Sequence, residues 1–132
     1  MAQGQVFTQG GKDLAVNQLD RNTAVAGASV TYFLAWGAGG TTPAVADTAL
    51  ETENAEARVA IDAGDMSQPL TDQVQWTETM TATGTRTVQE VGILSASTAG
   101  TLYAHIVHGS LALESGDTVD YTIRLLVNDT SE

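Results

Sequence analysis

Cysteine is absent from the 132 residues, which removes disulfides, thiolate nucleophiles and cysteine-bound zinc together and leaves the redox compartment open. Basic residues are scarce: five against sixteen acidic ones, for a formal net charge of -11. Such a surface repels a phosphate backbone instead of releasing its counterions, so nucleic acid is not an expected partner. Lys12 is the single lysine, a bias found on the acidic surfaces of high-salt proteins and equally on any soluble chain kept dispersed by its charge. Long apolar runs are missing too, so no membrane span is expected. The start, Met1-Ala2-Gln3-Gly4-Gln5, has no basic stretch leading into an apolar one, and it reads as an intact translation product without a secretory signal.

What is present is enough apolar content, 42% of residues, for one core in a chain of single-domain length. Period-two patterns broken by Gly, Asp, Asn and Ser predict strands. Val30-Thr31-Tyr32-Phe33-Leu34-Ala35-Trp36 is apolar on both faces and reads as a central strand, ended by the glycines and proline of residues 37–43. Between Asp47 and Arg58, Thr48 and Glu51 have capping-box spacing, but Leu50 is the only large apolar residue, so at most a helical turn or two is expected. Arg58-Val59-Ala60-Ile61 predicts a short strand, closed by a turn at Asp62-Ala63-Gly64-Asp65. From Gln73 to Thr83, Val74, Trp76 and Met80 share a face that Glu78 interrupts, which places Glu78 near an edge or a subunit contact. Three further strands are predicted over 87–94, 101–108 and 118–127; the last sets Val119, Tyr121, Ile123 and Leu125 on one face after a Ser115-Gly116-Asp117 turn. The fold class is therefore all-β: a β-sandwich or barrel-like domain over residues 26–132, with an N-terminal arm or outlying strand over 1–25 and at most one short helix.

No catalytic, cofactor or metal site is predicted. His105 and His108, three apart on a strand, face opposite sides of a sheet and cannot converge on one metal, so each is expected as a surface or interface side chain. No Gly-x-Ser-x-Gly elbow is present. Gly37-Ala38-Gly39-Gly40 follows a strand but lacks the Gly-Lys-Ser/Thr of a phosphate loop. Glu51, Glu53 and Glu56, and Asp62 and Asp65, lack the spaced ligands and central glycine of a calcium loop and are expected as solvated surface.

The ordered fragments Tyr32-Phe33-Leu34-Ala35-Trp36-Gly37-Ala38-Gly39-Gly40-Thr41-Thr42-Pro43, Asp47-Thr48-Ala49-Leu50-Glu51-Thr52-Glu53, Arg58-Val59, Glu90-Val91-Gly92-Ile93-Leu94, Gly100-Thr101-Leu102-Tyr103-Ala104-His105 and Gly116-Asp117-Thr118-Val119-Asp120-Tyr121 resemble a widespread set of small virion proteins of tailed viruses. The resemblance runs from about Thr31 to Leu126. It departs at His105, where those proteins often carry arginine, and it does not extend to the polar N-terminal segment.

The resemblance implies an all-β particle protein made in the host cytoplasm, with capsid decoration as the first reading. A tail, turret, baseplate or fibre adaptor is the second, and a hydrolase or carbohydrate-binding module the third. The implied partners are the major capsid protein or another virion protein, and further copies of the chain, with a trimer suited to a local three-fold position. Val6, Phe7 and Thr8, an apolar β-forming segment in a glycine-rich arm, are the predicted partner-binding residues.

Overall fold

The computed structural model describes residues 5–11, 31–69 and 73–126. Among the described residues eight strands run in chain order: β1 (Gln5–Phe7), β2 (Phe33–Gly37), β3 (Val59–Ala60), β4 (Met66–Ser67), β5 (Gln73–Thr81), β6 (Arg86–Leu94), β7 (Leu102–Leu113) and β8 (Thr118–Leu126). They form two antiparallel sheets, one in the order β1-β7-β6-β2-β3 and the other in the order β4-β5-β8. The sheets pack face to face, as the all-β sandwich expectation required.

Alternation in the sequence explains which faces meet. On β8, Ile123 and Leu125 are buried and Val119 and Tyr121 partly so, while Asp120, Thr122 and Arg124 are exposed. On β5, Trp76 and Met80 point into the same core, which Leu34, Trp36, Val91 and Ile93 complete from the larger sheet. Burying each large aliphatic side chain contributes about 1.5–3 kcal/mol, so this inter-sheet layer supplies most of the driving force. Val88 joins the core although simple alternation would place it with Glu90 and Gly92 on the other face. A register shift between Val88 and Glu90 turns the strand by one step and reconciles the two.

The larger sheet is covered on its second face as well. Ala35, Leu50, Leu94 and Leu102 form a separate small core there, with Leu50 reaching in from the long connection over residues 38–58. Gly92 makes that contact possible, since a Cβ at its position would lie 2.7 Å from Leu50 Cδ2 and 3.0 Å from Leu102 Cδ1. Two covered faces are the reason β2 is apolar on both sides.

Two expectations are revised. No helix forms between Asp47 and Arg58, where the chain makes turns and a single bridge between Gly37 and Glu53; the short helical turn of the central region is a 3-10 turn at Ala63–Asp65. The strand expected over 101–108 continues to Leu113. Glu78, expected near an edge or a subunit contact, does lie on a free edge among the described residues, beyond the stretch of β5 that β4 pairs.

Of the predicted arm, residues 5–11 are described and are docked on their own chain. Gln5, Val6 and Phe7 pair with Ile106, His105 and Ala104. The buried Thr8 donates its hydroxyl to the Leu102 carbonyl and accepts from the Gly11 amide at 3.2 Å. Residues 9–11 are helical. Residues 1–4 and 12–25 of the expected arm lie outside the described residues.

Candidate functional site

The densest polar constellation sits on the outer face of the larger sheet, under the 38–58 connection. At its centre is Glu90 of β6, with 0% of its surface exposed. A carboxylate survives such burial only when its oxygens are fully hydrogen-bonded, and four donors meet it here. The amides of Gly39 and Thr52 approach Oε1 at 3.1 and 2.7 Å, and the amide of Glu51 approaches Oε2 at 2.9 Å. His105 Nε2 lies 2.8 Å from the same Oε2. The amides of residues 51 and 52 are thus held by a side chain from another strand, and this is the physical reason the expected helical turn does not form.

Glycine is required where the loop passes over the carboxylate. A Cβ at Gly39 would lie 2.7 Å from Glu90 Oε1, and one at Gly37 2.5 Å from the same oxygen and 2.3 Å from the Thr52 carbonyl oxygen. The glycines that resemble a phosphate cradle therefore approach an internal carboxylate.

His105 extends the chain of contacts. It is 3% exposed, and its Nδ1 lies 2.8 Å from Asp47 Oδ2, so the expectation of a surface histidine is corrected. Two hydrogen bonds between one imidazole and two carboxylates need two protons shared among the three groups. Asp47 also accepts the Ala44 amide at 2.8 Å. Burial works to raise the Asp47 pKa, but the Ala44 amide and His105 outweigh it and hold the carboxyl below its ordinary range. Nearby, Glu51 accepts both the amide and the hydroxyl of Thr41, and these bonds keep its carboxyl low as well.

A second carboxylate pins the far end of the connection. Glu56, expected on the surface, is 9% exposed. Its Oε2 accepts Trp36 Nε1 at 3.0 Å; its Oε1 accepts the Thr83 amide at 3.0 Å, the Thr83 hydroxyl at 2.9 Å and Arg86 Nε at 2.8 Å. Glu51 and Glu53 are exposed as expected, with Glu53 paired to Arg58, which also donates to the carbonyls of Ala96 and Ala99.

Burial opposes ionisation of Glu56, yet the donors from Thr83 and Trp36 overcome it and bring its pKa from 4.5 to about 2. A depressed carboxylate stabilises the fold fully above the unfolded value and loses that contribution as pH falls from 4.5 towards 2. The ideal linkage is about 3 kcal/mol, reduced to about 2 because solvent reaches the Arg86 side of the pair. Urea midpoints taken at descending pH are expected to fall across this window and to lose most of that slope in Glu56→Gln.

His108 stands apart. Its Nδ1 carries the proton that it donates to the Gly109 carbonyl at 2.7 Å, and Nε2 lies 2.9 Å from the Tyr121 hydroxyl. Burial raises the Tyr121 pKa. Both rings therefore have both nitrogens engaged, and the two histidines do not meet, as their spacing predicted. Among the described residues, no three of His, Asp and Glu are grouped to hold a metal ion. Val6 to Thr8, the predicted partner-binding residues, lie along β1 and just past it, on the edge of the larger sheet.

Neither Glu90 nor Glu56 is an expected site residue from sequence pattern alone. A glutamate in the strand predicted over 87–94, whose other large residues, apart from Gln89, are Val88, Val91, Ile93 and Leu94, is the available signal for Glu90; nothing in the sequence distinguishes Glu56 from its acidic neighbours. No protein-family model matches the chain, and no curated protein matches it.

Proposed function

We propose that the chain is a non-enzymatic structural protein of a tailed-virus particle, acting as a capsid decoration protein on the outer surface of the shell. The observation that carries this reading is where the resembling residues are used. Gly37, Gly39, Asp47, Leu50, Glu90 and Gly92 all serve one purpose, holding the 38–58 connection against the sandwich. The resembling pattern is thus read as a scaffold pattern, and it leaves the outer loops free to face a partner.

Two features weigh against the other readings. A hydrolytic base needs a ring nitrogen free for substrate or nucleophile, and both histidines have theirs occupied by protein groups. A sugar-binding platform needs an exposed aromatic face, and Trp36 and Trp76 are only 1% and 4% exposed. A rigid acidic sandwich that binds as repeated copies suits a shell, where many weak identical contacts add.

Quantitative mass spectrometry of purified particles tests the proposal. Decoration predicts a copy number on the order of hundreds, matching the shell lattice. A few to a few dozen copies would move the protein to the tail, turret, baseplate or fibre, and absence from particles would reject a structural role.

A further inference from the structure

The smaller sheet ends on β8, which has no neighbour along its outer edge among the described residues. Beside that edge the two sheets part in an open groove of about 750 Å³, walled by Ile106 and Leu111 on one side and Val119, Tyr121 and Ile123 on the other. Leu111 is left 38% exposed there. An unpaired strand next to an apolar groove is completed by one more strand, whose backbone satisfies the free amides and carbonyls and whose inner side chains cover the groove.

We propose that this strand is β8 of a second copy, paired antiparallel about a two-fold axis through Thr122. The charge pattern of β8 selects both the occupant and the register. With Thr122 opposite itself, Asp120 faces the partner's Arg124 and Arg124 faces the partner's Asp120, two ion pairs from one sequence. On the inner face, Tyr121 faces the partner's Ile123 and Val119 faces the partner's Leu125. Slipping by one residue puts the polar face of one strand against the apolar face of the other. Centring the pair on Asp120 or Arg124 sets like charges directly opposite each other, which is unfavourable. Centring it on Tyr121 or Ile123 leaves both charges facing neutral residues.

The strand is already arranged for this pairing. Asp120 accepts the Thr79 hydroxyl at 2.6 Å, and Arg124 Nε donates to Gln75 Oε1 at 2.6 Å, so both side chains are steadied by β5 on the outer face while remaining exposed. The resulting assembly is a dimer with a continuous six-stranded sheet. It differs from the trimer that shell symmetry alone suggests, and it stands independently of the particle reading.

Sedimentation equilibrium of the full chain over a concentration series is expected to show a reversible dimer. Arg124→Glu and, separately, Asp120→Arg each place like charges opposite at both ends and raise the dissociation constant about tenfold or more. Combining Asp120→Arg with Arg124→Asp exchanges the charges in the same register and restores association. Circular dichroism and thermal melting identify any variant that has lost its fold, and the two single reversals have opposite sign, so the result does not hang on one of them. A monomer at every concentration overturns the proposal. So does a dimer or trimer indifferent to charge reversal, or amide exchange showing the β8 edge protected within a monomer by the chain's own residues.

Discussion

Trp36→Ala is expected to destabilise the domain by about 3–5 kcal/mol, read as a shift in the denaturant midpoint. The indole is 1% exposed and lies between the two sheets, so truncation removes its transfer free energy and leaves a cavity that close-packed neighbours fill only partly. A second loss adds to the first. Nε1 donates to Glu56 Oε2 at 3.0 Å, and without it a buried carboxylate is left one donor short. Trp36→Phe separates the two effects, because it retains most of the apolar volume and removes only the donor; its cost is expected to be about 1–2 kcal/mol. A near-neutral Trp36→Ala would mean that the indole is not part of the core.

Glu90→Ala is expected to cost a similar amount, about 3–5 kcal/mol, for an electrostatic reason in place of a packing one. The change strands the amides of Gly39, Glu51 and Thr52 and one nitrogen of His105 in a site that water does not readily reach. Glu90→Gln tests whether charge or shape matters. Its amide oxygen can still accept, but its amino group meets a donor where Oε2 stood, so the loss is expected to be smaller than for alanine and clearly above zero. Amide exchange supplies the local readout: Gly39, Glu51 and Thr52 are expected to exchange faster in both variants, with β5 and β8 less affected. Unchanged protection at those three amides would show that the connection is held by its apolar contacts through Leu50 and not by the carboxylate.

His105 fits the same logic. The side chain at this position bridges two carboxyl groups, with Nε2 2.8 Å from Glu90 Oε2 and Nδ1 2.8 Å from Asp47 Oδ2.

Local pattern alone determined the longer strands, the inward faces of β5 and β8, the two apolar faces of β2 and the turn before β8. Each of these follows from a period of two and from turn chemistry, which depend on neighbours within a few residues. The separation of the two histidines was legible for the same reason. The fate of individual polar side chains was not. Glu90, Glu56 and His105 resemble solvated residues until the chain folds back on itself, because burial of a charge depends on donors up to 51 residues away, from Gly39 to Glu90. The missing helix over 47–58 has the same origin, since amides that local propensity offers to a helix are claimed by a distant carboxylate. The two-residue reversal of facing in β6 depends on a register shift with β7, and the docking of residues 5–8 depends on which sheet edge is free. Tertiary structure alone decided these features, because hydrogen-bond partners and edges exist only once separate segments have been brought together.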